Sequence, residues 1–157
     1  MQLLFWLENS SLGDWIRTSS WAYPWVNAFH SVGMGILVGI VLMIALRILG
    51  FGRFPIAPLG KFLLIARFAF GLNLITGFVL FAGDAQHFFT SPTFIVKMVF
   101  VVAGGITAIK LTGMAFRGGS GWSGTDEAPQ PVRVMAAVSL ACWFTAIFAG
   151  RMTAYLP

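Results

Sequence analysis

Four long apolar stretches of this chain contain no acidic residue: about Pro24 to Leu49, Phe62 to Phe81, Pro92 to Phe116 and Val132 to Tyr155. At about 1.5 Å of rise per residue, each is long enough as a helix to cross roughly 30 Å of hydrocarbon. That pattern predicts an all-α integral membrane protein: one membrane domain over residues 1–157, built as a four-transmembrane-helix bundle. Composition points the same way. The chain has 58% apolar and 10% charged residues and a mean hydropathy of +0.85, whereas a soluble domain carries about 25% charged residues.

The net charge of +5 would point to nucleic acid in a soluble protein. Here the basic residues flank the apolar spans, so they read as topology signals and no nucleic-acid partner is expected. Arg47, Arg53, Lys61 and Arg67 cluster around the first long connection, and Lys110, Arg117 and Arg133 around the second. On the other side, Arg17, Lys97 and Arg151 are offset by Glu8, Asp14 and Asp84. The positive-inside rule then places both connections in the cytoplasm and both termini outside a plasma (inner) membrane, which means the periplasm in a Gram-negative cell.

Residues 1–20 hold Leu3, Leu4, Phe5, Trp6, Leu7, Leu12, Trp15 and Ile16 among Glu8, Asp14 and Arg17. The apolar run is too short to span, which predicts a short interfacial helix. No basic residue precedes it, so it does not read as a cleaved signal. Trp21, Tyr23 and Trp25 suit the membrane–water boundary, and Pro24 and Pro92 suit first helical turns. Residues 117–131, with glycines, prolines, Asp126 and Glu127, form a solvated loop. Cys142 is the sole cysteine and lies in an apolar span, so it reads as packing and excludes an intrachain disulfide.

This topology gathers four polar residues from different spans into the outer leaflet. His30 lies roughly 9 Å inside the first span and Lys97 roughly 7.5 Å inside the third. Arg151 lies near the end of the fourth, and His87 lies at or just past the end of the second. An ionisable group in hydrocarbon is costly and usually has a partner. A neutral imidazole is an axial haem ligand, and two cations at matched depth suit haem propionates. His30 and His87 are therefore the expected iron ligands of a haem b, Lys97 and Arg151 its propionate partners, and Gly33, one turn from His30, a side-chain-free approach. Met98 or Met152 in the same leaflet are alternatives to His87; Met34, on the same helix as His30, is badly placed for the opposite face. Each residue also has a plainer reading. His30 can bond a neighbouring helix, the cations can snorkel, and Gly35-Ile-Leu-Val-Gly39 is a helix-packing motif that favours a homodimer. Arg67 is expected to snorkel, and Asn73 to bond between helices.

Other chemistries find no support. The spans lack the carboxylates of proton- or sodium-coupled carriers. No nucleophile–histidine–carboxylate set can be assembled. Gly118-Gly119-Ser120-Gly121 lacks the strand and lysine of a phosphate loop.

Trp21-x-Tyr-Pro24 followed by His30, the helix ending Leu46-Arg47-Ile48-Leu49-Gly50, Phe94-x-x-Lys97, and Gly150-Arg151-x-x-Ala154-Tyr155 occur in order on successive spans. Over nearly the whole chain this resembles a bacterial family of small four-span membrane proteins of unassigned function. In architecture it is similar to small membrane b-type cytochromes, although the best-known of those carry more histidines and haem on both sides of the membrane. The resemblance implies a membrane b-type cytochrome that exchanges electrons with a quinol, a periplasmic partner or a small oxidant. The rival expectations are a haem-free module that binds or transports a small anion or lipid headgroup, and a structural subunit of a larger complex.

Overall fold

The computed structural model describes residues 2–52, 54–116, 122, 124, 126–153 and 155. Arg53, Arg117 and the 118–121 glycine segment lie outside them. The described chain is helical, with the order α1 (Gln2–Glu8), α2 (Ser11–Thr18), α3 (Ala22–Ile48), a 3₁₀ segment (Ala57–Phe62), α4 (Leu63–Gly83), α5 (Ala85–Thr90), α6 (Pro92–Phe116) and α7 (Gln130–Met152). Four of these helices, α3, α4 with its 3₁₀ lead-in, α6 and α7, are long and apolar enough to cross a membrane. The protein is a multi-pass, all-α membrane bundle. Phe68, Ile75, Ile109 and Phe148 stand outward into what must be lipid.

Proline marks three helix starts. Pro92 opens α6, and Pro58 and Pro131 are the second residues of the 3₁₀ segment and α7, within the first turn, where a missing N–H costs nothing. Pro24 lies in the first turn of α3, whose start is met by the Ser19 hydroxyl accepting from the Ala22 N–H at 3.2 Å.

The bundle consists of two antiparallel hairpins. α3 packs on α4 and α6 on α7, and α7 also meets α3, whereas α4 and α6 scarcely touch. Two buried clusters hold it together. At the end carrying the two long connections, Ile44 and Ile48 of α3, Leu111 of α6 and Val132 of α7 are each no more than 2% exposed. Nearer the middle, Leu37, Val41, Ala69 and Trp143 pack together. The Trp143 indole lies directly over Gly104, where an added Cβ would sit 3.1 Å from the ring.

Arg47 is 4% exposed and fastens the connections. Its Nε donates to the Phe54 carbonyl and its Nη2 to the Gly124 carbonyl at 3.2 Å. The guanidinium also lies 5.8 Å from the Phe54 ring and 5.9 Å from the Trp122 ring. The sequence reading treats Arg47 as a topology charge; in the structure it is a buried joint.

The N-terminal segment forms two helices rather than one. Ser10 breaks them apart: its hydroxyl accepts from the Gly13 N–H at 3.3 Å and donates to the Leu7 carbonyl at 2.6 Å. Buried Ile16 sits against Gly83 of α4, while Leu3, Phe5, Trp6 and Trp15 stay exposed, as an interfacial helix pair requires. Glu8 ties the pair down. It accepts from the backbone and side chain of Gln86 at 3.2 and 3.1 Å, and it pairs with Arg17 at 3.4 Å. Gly13 makes the docking possible, because a Cβ there would strike the Glu8 and Ala82 carbonyls. Gly13→Leu should therefore release α1 and α2 from the bundle, read as faster proteolysis before Trp21 with the four spans still protected.

Candidate functional site

The end of the bundle that carries the chain termini holds the polar residues of interest. His30, on α3, turns toward α4, and its Nδ1 lies 2.9 Å from the Thr76 hydroxyl oxygen. The roles in this bond can be assigned. Thr76 has one proton and donates it to the Leu72 carbonyl at 2.7 Å, so its oxygen accepts from His30 Nδ1–H. In the neutral ring, Nε2 is then left with a free lone pair. The ring edge lies along Gly77, where an added Cβ would come within 3.2 Å of Cε1. Interhelical hydrogen bonds in a bilayer are worth only about 0.6 kcal/mol on average. The bond adds little stability; its larger effect is to fix the tautomer and orientation of the imidazole.

Lys97, on α6, is the charged group close enough to act on the His30 ring electrostatically. Its stem crosses Gly150 of α7, with Cδ 3.3 Å from where a Cβ would be, and its ammonium lies 5.7 Å from the Phe94 ring centroid. It forms no ion pair among the described residues; Arg17 with Glu8 and Asp14 makes the ion pairs there. Lys97 packs on α7, which also meets α3, so it stands on the same end of the bundle as His30.

The other expected residues are placed differently. His87 lies on α5, beyond the break at Asp84 that ends α4. It is exposed, and its ring centroid is 5.9 Å from that of Phe88. No contact joins the two imidazoles among the described residues. Arg151 follows Gly150 but is exposed, so the neighbour that receives Lys97 is the glycine and not the arginine. Gly33 is taken up by α4, since a Cβ there would be 2.8 Å from Asn73 Nδ2 and 3.3 Å from the Ala69 carbonyl. It serves helix approach rather than open surface. Asn73 bonds within its own helix, to the Ala69 carbonyl at 2.9 Å, and its Oδ1 has no partner among the described residues.

The sequence reading gave Thr76 no role, and it is joined here by Gly77 and Gly150. All three face His30 or Lys97 across a helix pair. Among the described residues, no group of three or more His, Cys, Asp and Glu side chains is arranged to hold a metal ion. What the site offers instead is a single oriented imidazole with a free Nε2, a cation beside it, and an apolar surround. No protein-family model, curated protein or solved structure matches the chain.

Proposed function

We propose that the protein is a membrane b-type cytochrome whose haem is held by His30 near the outer face. The observation that carries this reading is the Thr76 bond to Nδ1, which leaves Nε2 as the donor. Metal-bound histidines ordinarily have their other ring nitrogen fixed in this way. A bound haem would supply one-electron redox chemistry, exchanged with a quinol, a periplasmic partner or a small oxidant. Thr76 fixes the ring, Gly77 leaves room along one edge, and Lys97 offers its charge to a propionate. His87 is not a second ligand in this reading, because its ring stands exposed on α5 and no contact joins it to His30 among the described residues. The topology that accompanies the proposal is the one with termini outside the plasma membrane and the basic connections in the cytoplasm.

The test is an absorption spectrum of the full-length protein purified after expression with ample haem. A Soret band with reduced-minus-oxidised α and β bands is the expected result. A protein that stays colourless under those conditions overturns the reading. A second reading, a haem-free site for a small anion or lipid headgroup, is favoured by one observation: Lys97 has no counter-ion among the described residues. It requires colourless protein that is stabilised by added anion and loses that effect in Lys97→Gln.

The proposal includes a homodimer. Gly35 and Gly39 have nothing within 4 Å of a would-be Cβ, so this stripe of α3 is unused inside the chain. Small-xxx-small faces let helices approach closely in lipid. Gly39→Leu should shift the protein from dimer to monomer in crosslinking or light scattering, with its spectrum retained. An unchanged distribution would dismiss this face as the contact.

A further inference from the structure

The loosely packed side of the bundle, between α4 and α6, contains a cleft of about 320 Å³. That lies at the lower end of the roughly 300–1,000 Å³ usual for small-ligand sites. Leu37 and Val41 of α3 form its floor, Ala66 and Phe70 of α4 one wall, and Ala108 and Leu111 of α6 the other. It occupies the half of the bundle nearer the long connections, away from His30. One charged residue lines it, Arg67.

Arg67 lies roughly 6 Å along α4 from its first residue, and Lys110 roughly 9 Å from the last residue of α6. Arg67 lines the cleft, whereas Lys110 stands on α6 outside its lining. Both are exposed, and neither forms an ion pair among the described residues. The spans contain no carboxylate that could serve them. An apolar slot opening sideways into a bilayer takes up a hydrocarbon chain. An unpaired cation in its lining selects a chain with an anionic head.

We infer that this cleft is a binding site for an anionic phospholipid. One acyl chain lies between α4 and α6, and the phosphate meets Arg67. Simple snorkelling would also bring an arginine to the headgroups, but it provides no slot for the chain and no dependence on the size of the wall residues. The site lies at the other end of the bundle from His30 and stands or falls apart from the haem reading.

The test uses the full-length protein in neutral detergent, incubated with dioleoylphosphatidylglycerol or dioleoylphosphatidylcholine. Retained lipid is counted by native mass spectrometry, and melting is followed alongside. The glycerol lipid should be retained in preference. Arg67→Gln should reduce that preference about fivefold, the equivalent of roughly 1 kcal/mol per interfacial cation. Arg67→Lys, which keeps the charge, should keep most of it and so separates a lost phosphate contact from a folding defect. Ala108→Phe should lower retention of both lipids by filling the slot. Equal retention of the two lipids overturns the proposal. So does a preference unchanged in Arg67→Gln, or stabilisation reproduced by inorganic phosphate alone.

Discussion

His30→Ala should yield a protein that inserts, folds and purifies without its Soret band. The loss should be complete, because the imidazole is the one iron donor the proposed site contains. Its effect on stability should be small, since the Thr76 bond it removes is worth only about 0.6 kcal/mol. That contrast separates a ligand from a structural histidine. Two companion variants sharpen it. His87→Ala should leave the band in place, because α5 holds that ring on the exposed surface; a band lost in both variants would restore His87 as a ligand. Thr76→Val should keep haem but weaken its retention, about 10- to 100-fold by analogy with other supporting partners of metal ligands. A Thr76→Val protein that binds haem as tightly as the parent would remove the tautomer from the explanation.

Arg47→Ala should be the most damaging single change at the connection end, costing about 3 kcal/mol. Two charge-assisted bonds to carbonyls are lost, each worth roughly 1.5–3 kcal/mol, with the contacts to Phe54 and Trp122 in addition. In detergent this should lower the apparent melting temperature by roughly 6–12 °C. Arg47→Lys should recover little of that loss. A single ammonium cannot serve the Phe54 and Gly124 carbonyls in fixed directions while lying over two rings. If lysine restores the parent's melting temperature, charge and not the planar fork is what the joint needs.

The spans were legible because a bilayer imposes one rule on every residue of a crossing helix. Pro92–Phe116 coincides with the stretch read from composition, and the other three differ only by a few residues at their ends. Depth alone places His30 and Lys97 at the same end of the bundle. Folding the first two spans about a midpoint near residue 53 also sets His30 opposite Thr76, and Gly33 opposite Asn73. That signal was present in the numbering. Depth does not tell which way around its helix a side chain points, so Arg151 matched Lys97 in level yet faces outward. Arg47 was hidden for another reason. A buried arginine and a snorkelling one look alike at the end of a span, and its partners come from two distant connections. His87 was legible as lying at or just past the end of the second span, but α5 is six residues long, too short to show any period, so the face on which its ring stands was not.

The sparse contact between α4 and α6 governs how anything reaches the interior of this bundle. The chain itself crosses that gap at one end, through α5, and the cleft proposed to hold lipid opens sideways between the two spans. Its occupant arrives by lateral diffusion, as a solute of a two-dimensional solvent. Occupancy then follows the mole fraction of that molecule in the surrounding lipid and not its amount per volume of suspension. Adding more membrane of the same composition should leave the cleft filled to the same degree. Changing the composition at constant total lipid should empty or fill it.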